Sequence, residues 1–204
     1  MADYCTAAEV MELMPDTEWT GKYAPLLASL ATRASRLIDR LVGREPGAFA
    51  VGASAASARV FDGSGGREQW VDEMAAVPVL VEVDETGDLS YVAWAASDYV
   101  AWPYNATLLS RPYLRLDVDQ MNGNKAAWYR FPRGVRVTAR WGYSLIVPED
   151  VRQAALVQTV RMFKRAQQAY QDVGAIVELG QLRYVQSLDP DVAMMVEHYR
   201  RLTV

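Results

Sequence analysis

Cysteine and histidine are almost absent from this 204-residue sequence, which contains one of each, Cys5 and His198. A single cysteine excludes an internal disulfide framework and is typical of a reducing compartment. One histidine and one cysteine are too few for a His/Cys zinc cluster within one chain. His198 lies among charged and aromatic neighbours, which favours an exposed structural histidine over a member of a Ser-His-Asp triad.

Long hydrophobic runs are lacking as well. No stretch of about 18 apolar residues occurs, so we expect no membrane span. The first residues contain no basic segment ahead of an apolar run, so we expect no signal peptide and a cytosolic site of synthesis. Apolar residues make up 51% of the sequence and charged residues 23%, which is the composition of a globular protein large enough to bury a core.

The stretches that resemble ligand-binding loops are better explained as turns. Residues 62–68 are rich in glycine but lack the spaced Gly-Lys-Ser/Thr of a phosphate-binding loop. Residues 117–125 begin like a calcium loop, but Met121 occupies a position that needs an oxygen ligand. Adjacent carboxylates such as Asp72 and Glu73 point to opposite faces of a strand. We therefore expect no cofactor, no metal site and no enzymatic activity.

Helical patterns occupy the two ends of the sequence. Thr6 followed by Glu9 is the signature of a capping box on a short first helix. Residues 25–42 carry apolar side chains at three- and four-residue spacing, which predicts an amphipathic helix, and Gly43 suits its left-handed C-cap. Pro148, followed by two acidic residues, predicts the first residue of a further helix.

Between these ends the apolar period becomes two, which indicates half-buried strands. About seven short segments rich in aromatic and β-branched residues, including 127–131, are separated by turn signals, of which Asn122-Gly123 is typical of a hairpin. The clearest alternation places two sets of side chains on one face of their strands: Val77, Val79, Val81 and Val83, and Val135, Val137, Ala139 and Trp141.

These patterns predict an α+β protein, a small helical bundle that carries an inserted antiparallel β-sandwich or β-barrel module. The helical scaffold is discontinuous and comprises residues 1–56 and 146–204, and the inserted β module comprises residues 57–145. Residues 44–57 are small and resemble a loop. A loop of this length without structure of its own is expected to be mobile or to contact a partner.

Charge is divided between neighbouring stretches of the β module. Residues 57–110 contain two arginines and nine acidic residues, a local charge of −7, and residues 111–140 contain seven Lys/Arg and two aspartates, a local charge of +5. Either these stretches neutralise each other inside one sheet, or an acidic face of one copy meets a basic face of the next. Candidates for intersubunit or channel-facing contacts, with at most non-specific contact to DNA phosphates, are Arg130, Arg133, Arg136 and Arg140.

Tryptophans are concentrated in the β module, which holds five of the six. They either fill the core of a small sandwich or form an exposed aromatic platform for a sugar or a protein. A carbohydrate- or protein-binding module is therefore the alternative function. The residues concerned are Trp70, Trp94, Trp102, Trp128 and Trp141.

The succession of these segments resembles the head–tail connector (adaptor) family of long-tailed double-stranded DNA bacteriophages, in the longer form with a β insertion. The resemblance spans nearly the whole chain, and its most telling part is a Trp-Gly pair followed by a proline-acidic helix start and an alanine-rich helix. The segments that carry it are YCTAAEVMELM, ASRLIDRLVGR, ARVFDGSGG, DYVAWPYNA, RWGYSLIVPEDVRQAALVQTVRMFKR and SLDPDVAMMVEHYRRL.

This resemblance implies a virion structural protein located at the neck, the head–tail interface, after assembly in the bacterial host cytoplasm. Family members form a homo-oligomeric ring, usually a dodecamer, beneath the portal protein. The ring extends the DNA channel and receives head-closure or tail-completion proteins. The C-terminal segment docks against the portal, so the resemblance implies portal contacts at Tyr184, Tyr199, Arg200 and Arg201.

Overall fold

The computed structural model of the protein describes residues 2–15, 23–167, 173–176, 181–184 and 188–201. The elements follow in the order α1 (Ala7–Glu12), α2 (Tyr23–Val42), β1 (Ser57–Phe61), β2 (Glu68–Met74), β3 (Leu80–Asp84), β4 (Tyr91–Ala93), β5 (Tyr99–Trp102), β6 (Tyr113–Val118), β7 (Val135–Ala139), α3 (Glu149–Gln167), β8 (Val173–Ile176), β9 (Gln181–Tyr184) and α4 (Pro190–Val196).

The chain divides into two compact units, one formed by Met1–Gly47 with Val147–Val204 and the other by Ala48–Ile146. The first, the helical unit, holds the four α-helices and the β8–β9 pair. The second, the β unit, holds two antiparallel sheets, so the predicted α+β class is confirmed. None of the described helices combines the length and the hydrophobicity that crossing a membrane requires.

The helical unit is built from helices that are capped and that bury one face. The predicted capping box is present, because Glu9 N–H donates to the Thr6 hydroxyl over 3.3 Å and Thr6 N–H donates to the Glu9 carboxylate over 2.7 Å. Gly43 follows α2 with φ +69°, a left-handed C-cap conformation that favours glycine. α2 contacts α3, α3 contacts α4, and the buried residues of α2 form the stripe that its spacing predicts.

Pro148 is predicted to be the first residue of α3, but it lies one position before the helix begins. Its carbonyl accepts the first helical hydrogen bond, from Arg152 N–H at 2.9 Å, and α3 begins at Glu149. Pro148 therefore flanks the helix, while the two acidic residues of the first turn lie near the positive end of its dipole. Arg152 ties this turn to α1 through an ion pair with Glu9 at 2.7 Å.

The segment before α1 is fixed to the helical unit by buried polar contacts. Tyr4 N–H donates to the Ser35 hydroxyl over 2.9 Å, and the Tyr4 hydroxyl donates to the Asp39 carboxylate. Cys5 is buried with its Sγ 3.6 Å from Thr159 Oγ1. Burial raises the pKa of the Cys5 thiol above its ordinary value.

The β unit is a sandwich of two antiparallel sheets with the strand orders β1-β7-β3-β4 and β2-β6-β5. Residues of both sheets contribute to one core, among them Val83 and Val137 from the first and Leu116 from the second, all fully buried. An isolated bridge between Met74 and Trp141 joins the two sheets at one point, but they do not close into a barrel, so of the two predicted alternatives the sandwich is correct. The alternation predicted for 135–141 is confirmed, because its apolar set is buried.

Three local predictions for the β unit are wrong. Val77 and Val79 are 59% and 72% exposed, because they lie in the connection between β2 and β3, ahead of the strand that begins at Leu80. Residues 127–131 form no strand, although Trp128 is buried there. Asn122-Gly123 lies in the loop between β6 and β7, which belong to different sheets, and so does not close a two-strand hairpin.

The segment predicted to be a mobile or partner-binding loop is anchored within the β unit. Phe49 is fully buried and its ring lies 5.3 Å from that of Tyr143. A short 3-10 helix follows at Val51–Ala53. The Gly52 N–H donates to the Leu145 carbonyl over 2.9 Å, so close that a Cβ on Gly52 would lie 2.5 Å from that oxygen. Residues 48–56, which the sequence analysis assigned to the helical scaffold, thus belong to the β unit.

Candidate interaction surface

The tryptophans of the β unit separate into a core group and a surface group. Trp94, Trp128 and Trp141 are 4%, 2% and 8% exposed, and the rings of Trp94 and Trp128 stack with centroids 4.4 Å apart. Trp70 is 56% exposed, and Trp102 is half-buried. Three tryptophans therefore fill the sandwich, as one of the two alternatives predicts, and two lie on its surface.

The surface pair belongs to a row that crosses the three-stranded sheet. The register places Trp70 of β2 opposite Arg115 of β6, and Arg115 opposite Trp102 of β5. In β6 the neighbouring Leu116 is fully buried, so Arg115 faces away from the core because successive side chains of a strand point to opposite faces. The three side chains thus form a Trp–Arg–Trp row on the outer face of this sheet.

Arg115 is held in this row by rings and carboxylates together. Its guanidinium lies 5.3 Å from the ring of Trp70 and 4.7 Å from that of Trp102, distances at which cation–π attraction acts. It also pairs with Glu68 at 3.0 Å and with Asp117 at 2.7 Å. Its side chain is only 15% exposed, so Arg115 serves as a fixed part of the surface, and two carboxylates flank its single positive charge.

The connection after β5 contains further exposed side chains, of which Tyr104 contacts the row. Tyr104, 65% exposed, donates its hydroxyl to Asp117 over 3.3 Å. Leu108 and Leu109, in the same connection after β5, are 82% and 56% exposed. We call the surface formed by Glu68, Trp70, Trp102, Tyr104, Arg115 and Asp117 the row face. It presents exposed aromatic side chains with an acidic edge.

The outer face of the four-stranded sheet has a different character. Arg136 of β7 pairs with Glu82 of β3 through two contacts of 2.5 and 2.7 Å and lies 4.3 Å from the ring of Tyr91. The hydrogen bonds from Arg136 hold the pKa of Glu82 below its ordinary value. Of the four arginines named from the sequence, Arg136 is thus engaged within its own chain.

The other three arginines are exposed and form no ion pair among the described residues. Arg130 and Arg133 lie in the loop before β7, where the Arg130 side chain packs against Gly65, and Arg140 directly follows the strand. Arg140 continues the phase of Arg136 and Thr138, which alternate with the buried residues of β7. We call Arg130, Arg133 and Arg140 the arginine set.

The charge division seen in the sequence is partly neutralised inside the chain. Arg115, Lys125 and Arg136 of the basic stretch pair with Glu68, Glu85 and Glu82 of the acidic stretch, respectively. This agrees with the first of the two interpretations for these three bases. The arginine set keeps its charge exposed, and the role of these residues stays a prediction.

The residues suggested as portal contacts have unequal exposure. Tyr199 is 7% exposed, and its carbonyl accepts from Arg44 Nε at 3.0 Å. Arg200 and Arg201 are exposed, although Arg201 N–H donates to the Val42 carbonyl at the end of α2 over 2.8 Å. The backbone of Tyr184 lies in β9, and its side chain is outside the described residues.

The lone histidine is open to solvent. The side chain of His198 is 57% exposed, and its Nε2 lies 3.9 Å from Asp150 Oδ2. Its ring lies against that of Tyr199, with centroids 3.9 Å apart. Across the residues that the structure describes, no group of three or more His, Cys, Asp or Glu side chains is placed to hold a metal ion.

Sequence reasoning did not single out Arg115 or Tyr104, and it did not separate Trp70 from the core tryptophans. Trp70 shares the phase of the charged Glu68, which was a usable signal that Trp70 faces outward, and the structure buries Gln69 between them. No local signal joins Trp70 to Trp102, because the strand order β2-β6-β5 brings together strands that are distant in sequence.

The fold is similar to that of a chain in a solved structure described as the neck of an empty GTA particle computed with C6 symmetry. The similarity has a TM-score of 0.55 at 16% sequence identity and covers 97% of this chain and 90% of that chain. No protein-family model and no curated protein matches the sequence. At this identity the similarity concerns the fold, and it includes both the helical unit and the β unit.

Proposed function

We propose that the protein is a virion structural protein of the neck, an adaptor that forms a ring beneath the portal of a tailed phage or phage-like particle. In this role it extends the DNA channel and provides the docking platform for head-closure or tail-completion proteins. Its site of action is the head–tail interface, and it is assembled in the bacterial host cytoplasm. The proposal assigns the chain no catalytic step and no cofactor.

The observation that carries the proposal is the similarity in fold to a chain from the neck of a GTA particle, a phage-like gene transfer agent, over 97% of this chain. A similarity of this extent includes the helical scaffold and its β insertion together. The sequence resemblance to head–tail adaptors rests on separate grounds, the succession of capped helices and strands, and leads to the same location.

The symmetry of that neck supports a ring. It was computed with C6 symmetry, which both six and twelve copies satisfy, and the adaptor resemblance favours the dodecamer. A closed ring needs two different surfaces on each subunit, and the two sheets of the β unit present outer faces of different chemistry. The exposed Arg200 and Arg201 near the C-terminus remain the proposed portal contacts, whereas the buried Tyr199 would act by holding their segment in place.

The proposal is tested by deleting the gene in cells that produce the particles. The expected result is DNA-containing heads without tails in negative-stain images, and tailed particles again when a plasmid copy is supplied. Loss of heads altogether, or normal tailed particles without the gene, would contradict the proposal. Arg200→Glu with Arg201→Glu, compared with Arg33→Glu on an exposed position of α2, tests the portal contact through the same count of tailed particles.

A further inference from the structure

We propose that the row face is one half of the contact between neighbouring subunits and that it receives the arginine set of the adjacent copy. This inference rests on the proposed ring. It names the surfaces that join the subunits.

The chemistry of the row face suits a guanidinium group, because it already holds the guanidinium of Arg115 of the same chain. Arg115 lies between two tryptophan rings and contacts two carboxylates. Two carboxylates around one guanidinium leave one negative charge in excess. The side chain of Glu68 is 55% exposed and Trp70 is 56% exposed, so a second guanidinium can stack on the open side of Trp70 and pair with Glu68.

The same chain offers complementary groups in the loop before β7 and at the end of β7, a strand of the other sheet. The arginine set is exposed and has no ion pair among the residues that the structure describes. Arg140 continues the outward phase of β7 in the four-stranded sheet, whereas the row lies on the outer face of the three-stranded sheet. Because both sheets cover one core, their outer faces point in opposite directions. Arg140 and the row face therefore lie on opposite sides of each copy, as a head-to-tail contact in a ring requires.

The geometry favours a protein partner over a sugar. The rings of Trp70 and Trp102 meet edge to face at 68° with centroids 6.2 Å apart, so they offer no common flat platform. Asp117 is already engaged by Arg115 and by the Tyr104 hydroxyl, which leaves few polar groups free to bind sugar hydroxyls. Exposed tryptophan beside a charged edge is instead the composition of a protein–protein hot spot.

The test uses two full-length variants, each with one face disabled. The row variant carries Glu68→Lys and Trp70→Ser, and the arginine variant carries Gln in place of Arg130, Arg133 and Arg140. In sedimentation velocity, wild-type protein is expected to form larger species as its concentration rises, and each variant alone is expected to stay monomeric. An equimolar mixture is expected to stop at the dimer, because one intact row face meets one intact arginine set.

Matched controls separate this contact from general effects. Glu12→Lys makes the same charge change on an exposed residue of α1, and Met121→Ser removes an apolar side chain that is 92% exposed outside the row face; both should assemble like wild type. Glu68→Lys alone tests the contact without replacing Trp70, in case the loss of Trp70 disturbs the sheet. It should weaken association about tenfold or more, as loss of a hot-spot contact does. Raising the salt from about 0.05 M to about 0.5 M should weaken wild-type association as well, since exposed charges are screened.

The outcomes distinguish this inference from the proposed function. A row variant that assembles like wild type, or a mixture that yields no dimer, overturns the contact. So does a soluble glycan that shifts the tryptophan fluorescence of wild type but not of the row variant. If the wild-type protein stays monomeric in solution, the contact is tested by asking whether each variant rescues the strain in which the gene is deleted. There the row variant should give no tailed particles, and rescue at the wild-type level would refute the contact while leaving the neck function intact.

Discussion

Replacing the tryptophans of the β unit one at a time should separate core from surface by free energy. Trp128 is 2% exposed and stacks on Trp94, whereas Trp70 is 56% exposed and covers Arg115. Trp128→Ala removes a whole buried indole and leaves a cavity, for which we expect a loss of about 3–5 kcal/mol in the free energy of unfolding.

Trp70→Ala should lower the free energy of unfolding by less than Trp128→Ala does. Less than half of its side-chain surface is withdrawn from water, so the burial lost is roughly 100 Å² at about 25 cal/mol per Å², part of which alanine retains. The cation–π contact with Arg115 adds about 0.5–1 kcal/mol. We expect a total loss of about 2–3 kcal/mol, which lies about 1–2 kcal/mol below the middle of the range expected for Trp128→Ala.

The assay is urea unfolding followed by near-ultraviolet circular dichroism, which reports on the aromatic packing of the β unit. Trp94→Ala serves as a second core replacement and should resemble Trp128→Ala, and Trp128→Phe is the milder variant should the alanine protein fail to fold. Equal losses for Trp70→Ala and Trp128→Ala would refute the division into core and surface, and with it the row face as an open surface.

Three further predictions concern single residues. Burial raises the pKa of Asp84, but hydrogen bonds from the Leu89, Gly87 and Thr86 N–H groups prevail and lower this pKa below its ordinary value. The carboxylate therefore contributes fully to the free energy of unfolding above about pH 4, and this contribution is lost as the pH falls through the pKa of the folded state. Asp84→Asn should flatten the acid side of the stability profile, and a profile of unchanged slope contradicts the assignment. Cys5 should react with a thiol reagent only on unfolding, because it is buried and its pKa is raised; immediate labelling of native protein would show that its segment is open. Gly43→Ala should cost about 1 kcal/mol because φ is +69°, whereas Gly66→Ala, where a Cβ meets nothing within 4 Å, should cost less; equal costs would argue against the left-handed cap.

Local chemistry explains the elements that the sequence predicts well. The capping box at Thr6 and Glu9 and the C-cap at Gly43 depend on residues a few positions apart, so their signals are complete within a short window. β7 is also predictable, because one of its faces is buried and every second residue is therefore apolar.

Where tertiary context decides, local patterns mislead. Val77 and Val79 continue the alternation of β3, yet they precede the strand and lie outside the core. Residues 127–131 have the aromatic composition of a strand, but Trp128 is fixed there by its N–H to the Gly66 carbonyl at 2.8 Å and by burial of its ring. Composition cannot distinguish a buried loop anchor from a strand.

The candidate surface could be predicted only in part. Its tryptophans and the charge division are visible in the sequence, and Trp70 has the phase of an outward residue. Which groups meet on the surface depends on strand order, since Arg115 of β6 lies between β5, the preceding strand, and β2, which is far earlier in the chain. The pairing of Arg136 with Glu82 is likewise set by the adjacency of β7 and β3, so the arginines that remain exposed emerge only from the fold.

The most direct measurement is a cryo-electron-microscopy reconstruction of the phage-like particles made by cells that express this protein, focused on the head–tail junction. The account predicts a closed ring of copies directly below the portal, with the DNA path through its centre and the row face of each copy turned toward the next. Density for the protein in the capsid shell or the tail tube instead, or single unassociated copies at the junction, would contradict it.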